Sequence, residues 1–186
     1  MQLSERDACP NCSPCVPLDL KKPQRVLEHI GSHILKDQNI NHDAEPCGLC
    51  LRPSSLCHFW VGKGKGTTGK PRIMKSTCVN SLRFNYATAA KSTEASLCSN
   101  IPISCSLCSK DDPAVWRYNM AAHFRKKHPS VAIEPYKHLW ELSNFEKHQM
   151  NIIWTNQQKV PKTRKKKSTA LVISESHSSR SSLAVT

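Results

Sequence analysis

The chain has 186 residues, of which 38% are apolar and 6% aromatic, a poor composition for one large hydrophobic core. Ten cysteines indicate small modules held together by metal or by disulfides. The polar start MQLSERDACP predicts no signal peptide, and no run of about 18 apolar residues predicts a membrane span. Cysteines in a reducing compartment bind metal, so we expect zinc; disulfides are the alternative if an upstream signal has been lost.

The formal net charge is +13 at pH 7, from 27 basic and 14 acidic residues. Loading two Cys₂His₂ sites and one Cys₄ site with zinc would leave about +11, because only the second kind of site adds negative charge. Such an excess suits a phosphate-rich partner, either DNA or RNA. A basic tail that serves nuclear import would account for part of it.

Residues 1–36 predict an irregular zinc-finger module. Pro23 begins a helical run, QRVLEHIGSHIL, whose two histidines are four residues apart and share one helical face. The candidate ligands are Cys9, Cys12, His29 and His33, with the pair Cys12 and Cys15 as the alternative cysteines. We favour the first pair because Val16 then takes the buried position after the knuckle. An amphipathic helix with two surface histidines is the other interpretation.

Residues 37–100 predict a second metal module of less regular spacing. The segment CGLC has the form of a zinc knuckle, and Gly48 suits its tight turn. Cys57 and His58 are so near the knuckle that the chain would have to fold straight back to bring them to the metal. The predicted ligands are therefore Cys47, Cys50, Cys78 and Cys98.

The middle module also contains a basic glycine-rich segment, VGKGKGTTGKPRIMK. Gly64, Gly69 and Lys70 have the spacing of a nucleotide-binding P-loop. Pro71 stands where that motif needs a hydroxyl for Mg²⁺, and we expect no strand before the segment and no capped helix after it. The sequence thus predicts a basic loop that can touch phosphates, and not an ATPase.

The segment CSLCSKDDPAVWRYNMAAHFRKKH, in residues 101–130, predicts a Cys₂His₂ zinc finger. Two residues separate its cysteines, 14 residues follow, and four residues separate its histidines. This is close to the usual spacing, whose central gap is about twelve residues. Two thiolates on a knuckle and two imidazoles on one side of a helix can converge on one tetrahedral Zn²⁺. The predicted ligands are Cys105, Cys108, His123 and His128.

Local signals place the helix of this finger. Asp112 and Pro113 are suited to the cap and the first helical position, and Pro129 predicts the end. Met120 is expected in the core of the finger, and Trp116 one turn earlier would extend that core.

The same helix predicts contacts with nucleic acid. If His123 is helix position seven, the usual base-reading positions fall on Trp116, Asn119 and Ala122. Asn119 could pair with adenine, whereas Trp116 is better suited to the core. One finger reads only about 3 bp, so selective binding needs other modules or a partner. The predicted nucleic-acid-binding residues are Arg117, Asn119, Arg125, Lys126 and Lys127.

Residues 131–158 predict a helical extension, which Glu134 and Pro135 begin and which Ser143 and Glu146 restart as a capping box. We expect it to pack against the central finger.

By composition, residues 159–186 are predicted to form a disordered tail that is basic and rich in serine, with six basic residues in KVPKTRKKK. Its predicted nuclear-import signal consists of Lys162, Arg164, Lys165, Lys166 and Lys167.

With these motifs placed, the sequence resembles uncharacterised Cys₂His₂-type zinc-finger proteins of mushroom-forming (basidiomycete) fungi. The segments VPLDLKKPQRVLEHIGSHIL, CGLCLRPSSLC, FNYATAAKSTEASLCSNIPISCSLC, DPAVWRYNMAAHFRKKHP and HLWELSNFE carry the resemblance. The resemblance implies zinc binding at Cys105, Cys108, His123 and His128 and a nuclear, regulatory role. In that family the N-terminal knuckle holds two cysteines, so Cys15 is a departure.

The fold class predicted is small α+β zinc-stapled modules in series, including a ββα-like finger, with a helical extension and a disordered tail. The function predicted is a zinc-binding nuclear protein that binds DNA or RNA and regulates transcription. The alternative is a zinc-stapled protein–protein interaction module with a basic import tail. No enzyme is expected, because the central site supplies four ligands and no catalytic motif such as HExxH or GxSxG occurs.

Overall fold

The structure, a computed structural model, describes residues 8–64, 71–80 and 82–158. These residues form an α+β fold with two small antiparallel sheets and several helices, which confirms the α+β part of the predicted fold class. Among them, no helix combines the length and apolar character needed to cross a membrane. The predicted import signal at residues 162–167 and the whole of residues 159–186 lie outside the described residues.

Helix α1 (Pro23–Lys36) lies at the centre of the fold. Its proline occupies the first turn, where no intrahelical partner for an N–H is needed. The face that carries Val26, Ile30 and Ile34 is buried. Because the two histidines of this helix are also buried, the interpretation of a helix with surface histidines is wrong.

Helix α4 (Asn144–Gln157) packs along α1. Its Met150 is fully buried, and Gln157 Nε2 donates to Ser32 Oγ at 2.9 Å. Ser143 caps α4 by accepting from the Glu146 backbone N–H at 3.1 Å, as predicted. Packing against the central finger was predicted for the whole extension, but α4 packs on the N-terminal segment.

The first sheet is the antiparallel pair β1 (Phe59–Lys63) and β2 (Pro71–Ser76), with a bulge between Trp60 and Val61. β1 ends just before Gly64, so the expectation that no strand precedes the P-loop-like spacing is wrong. β2 begins directly after that spacing, where a P-loop needs a helix. Two short helices flank this sheet in sequence: a 3₁₀ helix at His42–Ala44 and α2 at Tyr86–Ala89.

The second sheet pairs β3 (Pro102–Ile103) with β4 (Val115–Trp116). A 3₁₀ turn at Arg117–Asn119 leads into α3 (Met120–Lys127), so the central segment has ββα order. The helix ends before Pro129 as expected, but its predicted start at Asp112 is wrong. Asp112 instead accepts a hydrogen bond from the Ser109 backbone N–H at 3.1 Å and closes the turn after the knuckle.

The central finger contributes to two clusters of buried side chains. Met120 and Phe124 lie in the smaller cluster, where Tyr136 and Trp140 pack on Phe124 with ring centroids 5.0 and 5.2 Å away. Tyr136 lies in the 3₁₀ helix Glu134–Leu139, and Trp140 directly follows it. This helix is thus the part of the extension that packs on the finger.

Trp116 was predicted in the core of the finger, but it belongs to the larger cluster. Its ring meets Phe59 edge to face at 4.9 Å. This larger cluster draws residues from all four predicted segments between residues 8 and 158. The segments therefore share a core. The predicted arrangement of modules in series is not confirmed and stays a prediction.

Candidate metal centres

The N-terminal group brings four ligand atoms together between the first cysteine knuckle and α1. The group consists of Cys9, Cys12, His29 and His33. Cys12 Sγ lies 3.5 Å from His29 Nε2 and 3.1 Å from His33 Nε2, and Cys9 Sγ lies 3.5 Å from His33 Nε2. The histidines reach the cysteines because both imidazoles project from one face of α1.

Cys15 is exposed and lies outside this group. The knuckle is closed instead by the hydrogen bond from the Cys9 backbone N–H to the Val16 carbonyl at 2.9 Å. Val16, whose predicted burial favoured this pairing, is only half-buried, and Leu18 fills the buried position. The structure thus selects Cys9 and Cys12 over the alternative pair.

A carboxylate orients one histidine of the N-terminal group. His33 Nδ1 lies 3.1 Å from Asp37 Oδ2, one turn later on the chain. An N–H at Nδ1 that donates to the carboxylate leaves the Nε2 lone pair directed at the sulfurs, as in carboxylate–histidine–metal arrangements. Trp154 packs edge to face on the same imidazole at 5.1 Å and keeps it buried. Sequence analysis missed Asp37, although its i, i+4 spacing from His33 was a usable signal.

The four-cysteine group lies between the knuckle CGLC and the end of the first sheet. It consists of Cys47, Cys50, Cys57 and Cys78, all of them buried. The distances are 3.6 Å from Cys47 to Cys78, 3.4 Å from Cys50 to Cys57 and 3.6 Å from Cys50 to Cys78, measured between sulfurs. These separations are far longer than a disulfide bond of about 2.05 Å.

Cys57 takes the place that sequence analysis gave to Cys98. The loop does fold straight back: Leu51 has the left-handed φ of 60°, and the Ser54 backbone N–H donates to the Ala44 carbonyl. A turn closed by the Cys57 N–H and the Ser54 carbonyl then brings Cys57 to the other sulfurs. Strand β2 then returns Cys78 to the same point from the other side. The short loop was the reason for rejecting Cys57, and that reason was wrong.

Cys98 is fully buried against α1 and is not part of any metal group among the described residues. Its sulfur accepts from the Tyr118 hydroxyl at 3.3 Å and contacts the Leu27 carbonyl at 3.5 Å. Burial raises the pKa of Cys98 to about 12, so it remains a neutral thiol. The prediction that Cys98 is a metal ligand is therefore corrected: it is a core residue.

The four thiols of the middle group differ in pKa. Hydrogen bonding with Cys47 and Cys50 lowers the pKa of Cys78 to about 5, while burial raises the pKa of Cys47 well above its usual value. A cation at the centre of the four sulfurs would stabilise their thiolate forms and displace the thiol protons.

The central group has the ligands that sequence analysis predicted, namely Cys105, Cys108, His123 and His128. Cys108 Sγ lies 3.3 Å from Nε2 of both histidines, and Cys105 Sγ lies 3.4 Å from His128 Nε2. The cysteines lie on the knuckle between β3 and β4, and the histidines lie on and just after α3. Burial raises the pKa of Cys108 to about 11.

Glu45 orients His123 from the middle segment of the chain. Its Oε1 lies 2.8 Å from His123 Nδ1, so the Nε2 lone pair faces the cysteines. Burial alone would lower the pKa of His123, but the hydrogen bonds to Glu45 and Cys105 and the negative charge of both partners together outweigh it and raise that pKa. Nothing in the sequence signals this contact, because 78 residues separate the two partners.

Each of the three groups could hold a metal ion, and their donors are compatible with zinc. All four ligand atoms in each group lie within 4.8 Å of one another. A tetrahedron with zinc–sulfur bonds of about 2.3 Å has sulfur–sulfur edges of about 3.8 Å and sulfur–nitrogen edges of about 3.5 Å. The sulfur–sulfur and sulfur–nitrogen distances given above for each group lie within a few tenths of an ångström of these edges. Thiolate and imidazole donors suit zinc and do not suit Ca²⁺ or Mg²⁺.

The residues predicted to bind nucleic acid have different environments. Arg125, Lys126 and Lys127 are exposed on the last turn of α3, although Lys126 Nζ also donates to the Asp43 carbonyl at 2.8 Å. Arg117 is half-buried and donates to the Glu141 carbonyl at 2.9 Å.

Asn119, the predicted base reader, is fully buried. Its Nδ2 donates to the Pro46 carbonyl at 2.7 Å, so its amide cannot reach a base edge. Ala122, the other predicted reader, is also buried. The prediction that Asn119 contacts nucleic acid is therefore corrected, because the Pro46 carbonyl of the middle segment binds its amide in the turn before α3.

Comparisons with known proteins add no relative: no family model, curated protein or solved structure matches the chain.

Proposed function

We propose that this chain is a zinc-binding nuclear protein that binds nucleic acid, most directly DNA, through phosphate contacts and acts in transcriptional regulation. The observation that carries the proposal is the convergence of three tetrads of cysteine and histidine in a chain of net charge +13. Each tetrad supplies four protein ligands, which is the arrangement of structural zinc sites. Zinc would stabilise the fold, and we propose no catalytic role for it.

The exposed basic end of α3 supports phosphate binding. Arg125, Lys126 and Lys127 are adjacent and exposed, so their three positive charges could contact the phosphates of a nucleic-acid backbone. Since Asn119 and Ala122 are buried, α3 would bind without reading bases. The import segment that contains residues 162–167 would bring the protein to the nucleus, which a fluorescent fusion with and without these residues would test.

Native mass spectrometry tests the zinc part of the proposal. The wild-type protein should carry three zinc ions, one for each group. Replacing one cysteine in each group, with Cys12→Ser, Cys50→Ser and Cys108→Ser, should remove one ion at a time. Wild-type protein purified with zinc that carries none would contradict the proposal. Cys15→Ser is the matched control, because this exposed thiol lies outside the groups and its loss should leave the number of ions unchanged.

Salt dependence of DNA binding tests the nucleic-acid part. The triple variant Arg125→Ala, Lys126→Ala and Lys127→Ala should flatten the plot of log affinity against log salt by up to about three units of slope, roughly 0.9 for each phosphate that is no longer neutralised. A control variant that removes the same charge elsewhere carries alanine at three other exposed lysines, Lys36, Lys91 and Lys147. Equal slopes for the two variants would show that the end of α3 does not contact phosphate.

A zinc-stapled protein–protein interaction module is the second candidate function. The observation that favours it is the burial of Asn119 and Ala122, since a helix whose reading face is covered contributes no base selectivity. For this function the salt dependence of DNA binding should be negligible in the wild type as well as in both triple variants. The same titration therefore separates the two candidates.

A further inference from the structure

The turn before the four-cysteine knuckle makes direct contact with a ligand of the central group. Glu45 ends the 3₁₀ helix His42–Ala44 with the left-handed φ of 48°. This conformation directs the chain into the knuckle while its carboxylate meets His123 Nδ1 at 2.8 Å. The residue that orients the histidine of one metal group thus lies two positions before Cys47, a ligand of another.

The next residues of the turn hold the segment that precedes α3. The Pro46 carbonyl accepts from Asn119 Nδ2 at 2.7 Å, and Asn119 is fully buried. Gly48, inside the knuckle, lies so close to the Trp116 ring that a β-carbon would come within 2.3 Å of it. Backbone of the four-cysteine knuckle therefore packs directly on side chains that place the helix of the central group.

A second connection joins the same two groups on the other side of the knuckle. Phe59 lies two residues after the ligand Cys57, and its carbonyl accepts from the Ala114 backbone N–H at 2.6 Å. The Phe59 ring also meets Trp116 at 4.9 Å. Both halves of the four-cysteine site are thus attached to the sheet and helix that carry the central group.

We propose that the turn formed by residues 45–48 couples the four-cysteine group to the central group, with Glu45 as the positioning residue of His123. Metal in the four-cysteine group then raises the affinity of the central group for its own metal, and the reverse holds equally. The inference rests on the zinc binding proposed above and adds that two of the three sites load together.

The coupling has a direct physical cause. Four sulfurs around one metal fix the knuckle and the turn, so the carboxylate of Glu45 and the carbonyl of Pro46 are already in place when His123 binds. Without that metal, the free energy needed to order the turn is subtracted from the binding free energy of metal at the central group, and its affinity is lower. The N-terminal group has its own orienting carboxylate, Asp37, and does not depend on this turn.

Substitutions at Glu45 test the positioning role. Cadmium-113 NMR distinguishes a four-sulfur site from sites with two sulfurs and two nitrogens, and competition with chelators gives the affinity of each. Glu45→Ala should weaken the central site about 10- to 100-fold, as loss of an orienting partner does. Glu45→Gln keeps an oxygen acceptor for the Nδ1 proton and should recover most of the affinity. Asp43→Ala is the matched control, because it removes the same charge two residues earlier, at an exposed side chain of the 3₁₀ helix His42–Ala44.

Histidine ¹⁵N shifts supply a readout that a purely structural role would not change. In Glu45→Gln, His123 should stay protonated at Nδ1 and metal-bound at Nε2, while Glu45→Ala should lose this fixed tautomer. Equal weakening of all three sites by Glu45→Ala would overturn the positioning role, as would an unchanged central site.

The coupling itself is tested by loading the wild-type protein with less than one equivalent of cadmium per site. The four-sulfur and central resonances should grow together in a constant ratio, while the N-terminal resonance grows independently. Cys50→Ser should weaken the central site by about 5-fold or more, and Cys12→Ser should leave it unchanged. Three sites that fill independently would overturn the coupling and leave the proposed function standing, whereas a protein that binds no metal would defeat the proposed function itself.

Discussion

Cys57 and Cys98 provide the sharpest test of the middle site. Sequence spacing favoured Cys98 as the metal ligand, whereas the structure brings Cys57 to the knuckle. Cys57→Ser removes a sulfur that lies 3.4 Å from Cys50 in the four-cysteine group. Cys98→Ser changes an equally buried sulfur that belongs to no metal group among residues 8–64, 71–80 and 82–158. Both substitutions replace sulfur by oxygen and keep a hydrogen-bonding group, so they are matched in chemistry.

The expected magnitudes differ widely. Structural zinc binding contributes about 10–16 kcal/mol in small finger peptides, which is comparable to the whole stability of a typical domain, about 5–15 kcal/mol. Loss of the middle zinc through Cys57→Ser should therefore lower the thermal midpoint by more than about 10 °C. Cys98→Ser disturbs contacts with the Tyr118 hydroxyl and the Leu27 carbonyl, which should cost about 1–2 kcal/mol, or about 2–8 °C.

The assay combines zinc stoichiometry by native mass spectrometry with thermal unfolding followed by circular dichroism. We expect two zinc ions in Cys57→Ser and three in Cys98→Ser, one for each group that remains complete. Zinc lost from Cys98→Ser and retained by Cys57→Ser would refute the geometry and restore the ligand set that sequence spacing favoured.

Three further predictions concern a buried glutamate, a glycine packed against a tryptophan, and the protons of the N-terminal group. Glu146→Gln should destabilise the fold by about 2–3 kcal/mol in urea unfolding, because one of the two buried oxygens that accept from Ser99 and Tyr118 becomes an NH₂ donor; an exposed glutamate changed in the same way should cost nothing measurable. Gly48→Ala should lower both stability and metal affinity, since its methyl group would lie 2.3 Å from the Trp116 ring; unchanged unfolding would contradict this packing. In the N-terminal group burial raises the pKa of Cys12 to about 12 and lowers the pKa of His29 to about 4, so at pH 7 metal displaces thiol protons and none from that histidine. Calorimetry in buffers of different ionisation enthalpy should give about two protons released at this site at about pH 7–8, with affinity falling about 100-fold as pH decreases from 8 to 7; release near zero would be inconsistent with buried thiols.

Local signals in the sequence were sufficient where ligands and their spacing lie within one short segment. The knuckle and histidine spacing between Cys105 and His128 predicted the members of the central group, which the structure brings together. The proline at the start of α1 and the serine cap of α4 likewise appear as predicted. The two helix starts depend on contacts within about one turn of the chain, so the residue types themselves encode them.

The start of α3 shows where local signals were insufficient. Asp112 and Pro113 are good helix-starting residues, yet they lie before β4, and the helix begins at Met120. Burial of Trp116 in the shared core holds this stretch extended, and tertiary packing outweighs a preference worth about 1 kcal/mol.

The sequence by itself predicted the cysteine and histidine groups whose spacing is short-range and the basic charge, but not the core that all four segments share. Only the tertiary structure decided which cysteine completes the middle group, which carboxylates orient the histidines, and that Asn119 faces Pro46 rather than solvent. The physical reason is sequence separation. A knuckle or a cap joins neighbours in the chain, whereas Glu45 and His123 are 78 residues apart and meet only because a shared core fixes both elements at once.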